Sequence, residues 1–384
     1  MDERKKAAES AAAHFAFEGT MQQIGPFGNG HINETWLARF EIGLMGPLYV
    51  ILQRINTTVF REPERLMENI QGVTEWLRRK IIEEGGDPER ETLTLIPSKD
   101  GKSFYRDEDG QYWRAYRFIT DATCYDQAES ADDFRQSAVA FGQFQRRLAD
   151  YPADSLYESI PGFHDTAARL AVFRKTVTED VCGRRSEAEK EISFVLSHAY
   201  LAECYSRAAA KSPLPLRVTH NDTKLNNVMI DNKTHKGICV IDLDTVMPGL
   251  VMNDFGDSIR FGASTALEDE PDLSRVSCSL DLFTAYTEGF MQECASRLTD
   301  AEISLLADGA LVMTYECGMR FLTDYLQGDT YFRIGYPAHN LVRARNQFKL
   351  VADMEEKLPR MRHIVASAAK TAAAVERARI PAEG

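Results

Sequence analysis

The chain has 384 residues, more than the roughly 250 to 300 over which one hydrophobic core is readily extended, so two lobes are expected. Its formal net charge of −13 excludes a broad basic surface, which argues against binding to nucleic acid. Seven dispersed cysteines without a C-x-x-C pair fit neither a disulfide framework nor a zinc site, and no segment approaches the roughly 18 apolar residues of a membrane span. We therefore expect a cytoplasmic protein with reduced thiols and no membrane partner; no obligate protein partner is evident.

The first third of the chain predicts a small antiparallel sheet with one helix. After an Ala-rich N-terminal helix, residues 20–55 alternate between apolar and polar side chains in three stretches with Gly-rich joins, as strands do. Two further strands meet at the turn of residues 107–110. These elements predict an N-terminal lobe over residues 1–118. Between the two sets of strands, a helix from about Glu64 presents one apolar stripe, formed by Leu66, Ile70, Val73, Leu77 and Ile81.

Beyond residue 119 the periodicity is helical almost to the C-terminus. The first long helix begins near Ser130, which forms a predicted N-terminal capping pair with Asp133. The exception is residues 217–242, where β-type stretches flank a polar cluster. The sequence therefore predicts an α+β protein whose second lobe, residues 119–384, is larger and mainly helical.

The polar cluster lies in the stretch RVTHNDTKLNNVMID, residues 217–231. The apolar residues that follow it predict a β-hairpin, in which Val228–Asp231 pair with Ile238–Ile241 around a short turn. In that register Asn227 lies across from Asp242. An amide oxygen and a carboxylate at such a place suit Mg²⁺, which takes few protein oxygens and completes its octahedron with water and substrate phosphates.

Asp222 directly precedes this pair and is placed to take a proton from a substrate hydroxyl. One base with two metal-binding oxygens is the minimal set for phosphoryl transfer, with Asn227 and Asp242 on the metal. The alternative is a polar turn, in which Asp222 caps a turn and Asn227 satisfies backbone groups. Base, amide and second carboxylate in this order between β-type segments favour catalysis. We predict that His220 is a structural orienter without a proton-transfer role.

The spacing from His220 to Asn227 resembles the catalytic loop of protein kinases, H-R-D-x-x-x-x-N, with Asn221 where arginine would stand. Together with the later I-D-x-D, this pattern is similar to the aminoglycoside phosphotransferase and choline kinase superfamily, which implies a bilobal protein-kinase-like fold. A literal D-F-G begins at Asp254, but it lies beyond the hairpin. We interpret Asp254 as a buried acceptor at a helix start that supports the catalytic loop, as its equivalent does in that superfamily.

A Gly-rich segment, residues 24–33, lies between the first two predicted strands. Glycines let the backbone approach phosphates closely, although a Gly-rich hairpin can also be a simple turn. Because this segment lies in the predicted N-terminal sheet, we predict a nucleotide-binding loop, with contacts from Gly28, Asn29 and Gly30.

Kinases of this fold usually carry a lysine on the third strand, where this chain has Gln53 followed by Arg54. Gln53 is therefore the predicted nucleotide contact at this place. Either Arg54 or another cation neutralises the phosphates, or nucleotide binding depends on metal and backbone. A pseudokinase is a further alternative, but it would be expected to have lost Asp222, Asn227 and Asp242.

Five stretches together resemble the bacterial N-acetylhexosamine 1-kinases: GNGHIN, VILQRINTTVF, THNDTKLNNVM, CVIDLDTVMPGL and ECGMRFLTDYLQGDTYF. They extend over residues 25–335, and the glutamine at the usual lysine position is also a feature of that family. The resemblance implies an ATP- and Mg²⁺-dependent enzyme that phosphorylates the anomeric hydroxyl of N-acetylglucosamine and N-acetylgalactosamine.

The resemblance also implies roles for individual residues. Asp222 would be the base on the sugar O1, and Arg320 and Tyr331 would hold the sugar, with His31 and Asn33 nearby. Arginine offers a fork of donors to hydroxyl and acetamide oxygens. The alternative for Arg320 and Tyr331 is an ion pair with Asp324 on a helix surface and an ordinary packed tyrosine. For the whole protein, the alternatives are a kinase for another small alcohol, such as an amino sugar, an aminoglycoside or choline, and a non-catalytic nucleotide-binding scaffold.

Overall fold

The computed structural model describes residues 3–28, 32–128 and 130–379, and the chain divides into two units. Unit 1 comprises Met1–Thr123, Asp150–Pro161 and Met229–Pro248, and unit 2 comprises Cys124–Ala149, Gly162–Val228 and Gly249–Gly384. The predicted assignment of nucleotide binding to residues 1–118 and of catalysis and substrate binding to residues 119–384 stays a prediction.

Unit 1 is built on an antiparallel sheet in the order β1-β2-β3-β6-β4, with β5 paired to β6. Alternate side chains of β2 are buried, as the sequence predicted, and they pack with residues of β3 and β6 into one apolar core. The first helix contributes three buried alanines to this core. The elements are α1 (Glu3–Ala12), β1 (Thr20–Pro26), β2 (Glu34–Glu41), β3 (Pro47–Arg54), β4 (Leu95–Ile96), β5 (Tyr105–Arg106) and β6 (Tyr112–Arg117).

The helix α2 (Pro63–Glu83) has the predicted apolar stripe, and all five residues of that stripe are buried. Proline at its first position suits a helix start, because the missing N–H would have no partner within the helix. Asn69 on the buried side donates to the carbonyl oxygens of Tyr157, at 2.7 Å, and Val246, at 3.1 Å. The helix therefore holds the segment that follows the predicted hairpin.

The predicted hairpin is present as β9 (Val228–Asp231) and β10 (Gly237–Val240), so its second strand begins one residue earlier than predicted. The two-residue strand β7 (Ala122–Thr123) pairs with β9 on the other side. The Asp231 carboxylate closes the turn by accepting the N–H groups of Lys233, at 3.0 Å, and Thr234, at 2.7 Å.

Unit 2 is mainly helical, and α3 begins with the predicted capping box of Ser130 and Asp133. Helices α7 and α9 pack closely, because a Cβ atom on Gly256 would lie 2.3 Å from the carbonyl oxygen of Gly309. Its helices are α3 (Ala131–Arg147), α4 (Thr166–Glu179), α5 (Glu189–Ser197), α6 (Cys204–Ala209), α7 (Val251–Gly262), α8 (Leu280–Cys294), α9 (Asp300–Leu326) and α10 (His339–Arg379), and it includes the short strand β8 (Arg217–Thr219). The strand β11 (Met247–Gly249) begins in unit 1 and ends in unit 2. The sheet of unit 1, with helices α1 and α2, and the mainly helical unit 2 confirm the predicted α+β class.

Within the described ranges, none of the helices combines the length and the apolar character that crossing a membrane requires.

Candidate functional site

The loop after β8 is held by the side chain of Asp254, which lies at the start of α7 and is only 2 % exposed. Its carboxylate accepts the backbone N–H of His220, at 2.9 Å, and that of Asn221, at 2.8 Å. Gln145 of α3 donates to the same carboxylate at 2.9 Å. Burial raises the pKa of Asp254, and the two backbone donors act against that rise. This is the placement expected of a loop support; the role stays a prediction.

A second set of contacts fixes the same loop at Thr223. Asp257, one turn further along α7, accepts the Thr223 N–H at 3.0 Å, and Ser258 donates to the Thr223 carbonyl oxygen at 2.7 Å. The Thr223 hydroxyl donates to the carbonyl oxygen of Asp254 at 2.5 Å. Asn221, between these supports, is left-handed with φ 65°, a conformation that asparagine tolerates better than most residues. The backbone on both sides of Asp222 is therefore fixed by one helix.

Asp222 is half-buried, with its side chain 29 % exposed, and its carboxylate lies 2.6 Å from Lys224 Nζ. Burial alone would raise the pKa of Asp222, but the Lys224 ammonium holds it below its usual range. Asn227 Nδ2 donates to the Asp222 carbonyl oxygen at 2.8 Å and to Oδ2 at 3.2 Å. Because the amide nitrogen of Asn227 faces Asp222, the Oδ1 atom of Asn227 is the one left to accept a hydrogen bond or bind a metal.

Asp242 follows β10 and takes the left-handed conformation, with φ 58° and ψ 60°, at the start of a single 3₁₀ turn, Leu243–Thr245. Such a conformation is strained for a residue with a side chain and persists only where the surroundings hold it. Asn227 lies in unit 2 and Asp242 in unit 1, and their predicted approach across the hairpin stays a prediction.

The donor chemistry of the two predicted metal ligands fits Mg²⁺, because a carboxylate and an amide both offer hard oxygen atoms. Within the part of the chain that the structure describes, there is no group of three or more His, Cys, Asp and Glu side chains arranged to hold a metal.

The Gly-rich segment is described only in part. Gly28 has φ 74°, the left-handed region that favours glycine, whereas Asn29, Gly30 and His31 lie outside the described residues. Asn33 is engaged within unit 1: its Nδ2 donates to Asp244 Oδ2 at 2.5 Å. Its Oδ1 accepts the N–H of Asn56 at 3.0 Å. The predicted role of Asn33 as a sugar ligand stays a prediction.

The side chain of Gln53, on β3, bonds to residues of the strands on either side, β2 and β6. It donates to the Thr35 hydroxyl at 3.0 Å and accepts from Arg114 Nε at 2.9 Å. Arg54, the alternative cation, forms an ion pair with Glu34 at 2.5 Å. The donor Arg114 belongs to β6, is only 1 % exposed and was not among the residues predicted from the sequence.

The predicted sugar-binding pair lies together in unit 2. The guanidinium carbon of Arg320 lies 5.8 Å from the ring centre of Tyr331, 5.2 Å from that of Phe163 and 5.5 Å from that of Phe332. Tyr331 is 65 % exposed, so it is not an ordinary packed tyrosine. Asp324 is buried and accepts the backbone N–H groups of residues 330–332, which differs from the alternative of a surface ion pair with Arg320.

A buried carboxylate one turn before Arg320 links this aromatic cluster to the loop that follows β8. Glu316, one turn earlier on α9, accepts from Thr166 at 2.5 Å and lies 2.8 Å from His164 Nδ1. His164 Nε2 lies 3.2 Å from the carbonyl oxygen of Asn221. This link was not predicted from the sequence. Lys224 was not predicted either, although its position two residues after Asp222 was a usable signal.

Residues 53–277, more than half of the chain, match the phosphotransferase enzyme family, APH, and the chain belongs to that family. The predicted resemblance is therefore confirmed at the level of this family, and the finer resemblance to N-acetylhexosamine 1-kinases stays a prediction.

Solved structures of similar proteins confirm the kinase-like fold. An amicoumacin kinase in complex with AMP-PNP and Ca²⁺ aligns with a TM-score of 0.55 at 13 % identity over 93 % of this chain and 94 % of its own. A spectinomycin phosphotransferase in complex with ADP and spectinomycin aligns with a TM-score of 0.55 at 14 % identity, over 92 % of this chain and 98 % of its own. A choline kinase from Cryptosporidium parvum aligns with a TM-score of 0.55 at 12 % identity, over 95 % of this chain and 99 % of its own. At these identities the likeness shows the fold alone.

Proposed function

We propose that the protein is an ATP- and Mg²⁺-dependent N-acetylhexosamine 1-kinase, which transfers the γ-phosphoryl group to the anomeric hydroxyl of N-acetylglucosamine or N-acetylgalactosamine. The observation that carries the proposal is the cluster around Arg320. A guanidinium beside three aromatic rings suits a neutral sugar. An aromatic ring can stack on the apolar face of the sugar, and the guanidinium can donate to the hydroxyl and acetamide oxygens of the sugar.

The charge around this cluster supports a neutral substrate over a cationic one. Arg169 is close enough to Arg320 that burial and this neighbouring cation together lower the pKa of Arg169. The buried carboxylate of Glu316 lies 3.6 Å from Arg169 Nε and is also bonded to Thr166 and His164, so it balances one of these two cations. Choline or an aminoglycoside would bring further positive charge to two guanidinium groups, at a cost in electrostatic energy.

In this proposal Asp222 accepts the proton of the sugar O1 hydroxyl. Its ion pair with Lys224 favours the ionised form that a base requires, and the supports from α7 fix its backbone. Asn227 and Asp242 would hold Mg²⁺, which neutralises phosphate charge when it is bound with the nucleotide. Gly28, Asn29, Gly30 and Gln53 are the proposed nucleotide contacts, and Arg320, Tyr331, His31 and Asn33 are the proposed sugar contacts.

A coupled ADP-release assay tests the proposal, with N-acetylglucosamine, N-acetylgalactosamine, galactose, choline and an aminoglycoside as acceptors. We expect the two N-acetylhexosamines to give the highest kcat/KM, and phosphorus NMR of the product to show a phosphate on the anomeric carbon. Higher kcat/KM with choline or the aminoglycoside would replace the proposed substrate. Nucleotide binding without ADP formation from any acceptor would support the scaffold alternative.

A further inference from the structure

Gln53 and Arg114 are directly opposite each other in the sheet of unit 1, on β3 and β6. The Arg114 Nε donates to Gln53 Oε1 at 2.9 Å, and Gln53 is oriented for this contact by its own bond to Thr35. Position 53, where kinases of this fold usually have a lysine, is therefore next to a cation, the guanidinium of Arg114 on the neighbouring strand.

Arg114 is buried, and a buried cation is tolerated only with close partners. Its partner is Asp244, which receives a hydrogen bond from the Arg114 guanidinium on Oδ1. The Tyr116 ring lies 5.4 Å from the guanidinium carbon. Asp244 is fixed from two further directions, by Asn33 on Oδ2 and by the Ser159 hydroxyl, which donates to its carbonyl oxygen at 3.0 Å.

Asp244 lies in the same 3₁₀ turn that Asp242 begins. Burial alone would lower the pKa of Arg114, but Asp244 first, then Tyr116 and Asp242, raise it above its usual range. One guanidinium therefore acts on both carboxylates of the turn. The left-handed backbone of Asp242 needs such an outside support, because its own conformation is unfavourable.

We propose that Arg114 is the positioning residue of the proposed metal site: by clamping Asp244 it holds the turn of residues 242–245 in the shape that presents the Asp242 carboxylate to Mg²⁺. This inference rests on the proposed function in taking Asp242 as a metal ligand. Partners that orient a metal ligand typically change metal affinity by about 10- to 100-fold when they are removed.

The test separates positioning from stability. Arg114→Gln leaves Asp244 buried without its partner, so this variant is expected to lower both the melting temperature and the affinity for Mg²⁺-nucleotide. Arg114→Met/Asp244→Leu replaces both charges with apolar groups, a change that is often neutral for stability. We expect this double variant to regain most of the melting temperature but to bind Mg²⁺-AMP-PNP about tenfold or more weakly by calorimetry. Binding of AMP-PNP without Mg²⁺ should change much less.

A stable double variant with wild-type affinity for Mg²⁺-AMP-PNP would overturn the inference. A second variant, Gln53→Lys/Arg114→Gln, moves the cation to the opposite strand. We expect it to bind Mg²⁺-AMP-PNP more tightly than Arg114→Gln alone, without an equal gain for AMP-PNP in the absence of Mg²⁺, which would instead indicate a direct contact between Lys and phosphate. Equal affinities would count against a positioning charge at this place. Because no sugar is present, failure of the proposed substrate leaves this test intact. Wild-type binding that is independent of Mg²⁺ would instead contradict the proposed metal site.

Discussion

The imidazole of His164 bridges the carbonyl oxygen of Asn221, 3.2 Å from Nε2, and the carboxylate of Glu316, 2.8 Å from Nδ1. Each of the two ring nitrogens therefore faces an oxygen acceptor. Burial alone would raise the pKa of Glu316, but His164 is the first of several neighbours that hold it below its usual range. The residue before the proposed base is thus tied to the helix that carries Arg320.

We predict that His164→Gln lowers kcat with little effect on nucleotide affinity, because glutamine cannot make both bonds and the loop position of Asp222 loosens. A displacement of about 1 Å can cost about 100-fold in rate. Steady-state kinetics of the variant give the measurement. His198→Gln is a matched control, since His198 also bridges a carbonyl oxygen, that of Phe194, and a carboxylate, that of Glu355. An equal loss of kcat in both variants would contradict the prediction.

Asp222→Asn should retain nucleotide binding and lower turnover by about 10²- to 10⁴-fold, because the amide cannot take up a proton. Single-turnover ADP formation, with nucleotide affinity from calorimetry, measures both effects. Asp126→Asn is the control, since Asp126 contacts Asn226 of the same loop from an exposed position. Turnover like that of the wild type would remove Asp222 as the base.

Asp254→Asn should destabilise the protein by about 3 kcal/mol, because the new amide group would face backbone N–H donors in a buried place. Urea denaturation measures the free energy of unfolding. Asp308→Asn, which weakens the ion pair with the exposed side chain of Arg362, should cost less, about 1 kcal/mol. Similar losses for the two variants would show that Asp254 is not an important support of the loop.

Asp324→Asn should raise the KM for the sugar more than it lowers kcat. The Asp324 carboxylate accepts the N–H groups of Thr330, Tyr331 and Phe332 at 2.8 to 2.9 Å, so its loss frees the segment that presents the Tyr331 ring. We expect a KM change of about tenfold, similar to that of Tyr331→Ala. If Asp324 acts through Tyr331, the double variant should be no worse than the worse single variant. Additive losses would indicate separate roles.

The hairpin turn provides a test of pH dependence. Asp231 has its pKa lowered to about 2, first by the Thr234 N–H and then by the Thr234 hydroxyl. A depressed pKa contributes stability that is present above the ordinary value of 3.8 and is lost as the pH falls towards 2. Carbon NMR of the carboxyl group should show this low midpoint. Thr234→Val removes the hydroxyl alone and should raise the midpoint, though not to the ordinary value; an unchanged midpoint would assign the shift to other contacts.

Local patterns were enough to predict much of the fold. The α2 stripe, the Ser130 cap and the 228–240 hairpin are short-range features, in which side-chain spacing and turn chemistry determine the outcome. The bond from Arg114 to Asp244 spans 130 residues, and that from His164 to Asn221 spans 57. Which side chains meet over such separations depends on how sheets and helices pack, and periodicity does not report packing.

The glycine contact between α7 and α9 has a consequence for catalysis. Asp254 and Asp257 flank Gly256 in α7, and a methyl group at residue 256 would collide with the backbone of α9 at Gly309. Because the loop around Asp222 is bonded to that one turn, a wedge at this crossing would move the loop together with the helix. The position of the proposed base relative to the substrate hydroxyl thus depends in part on the close approach of two helix backbones at Gly256 and Gly309.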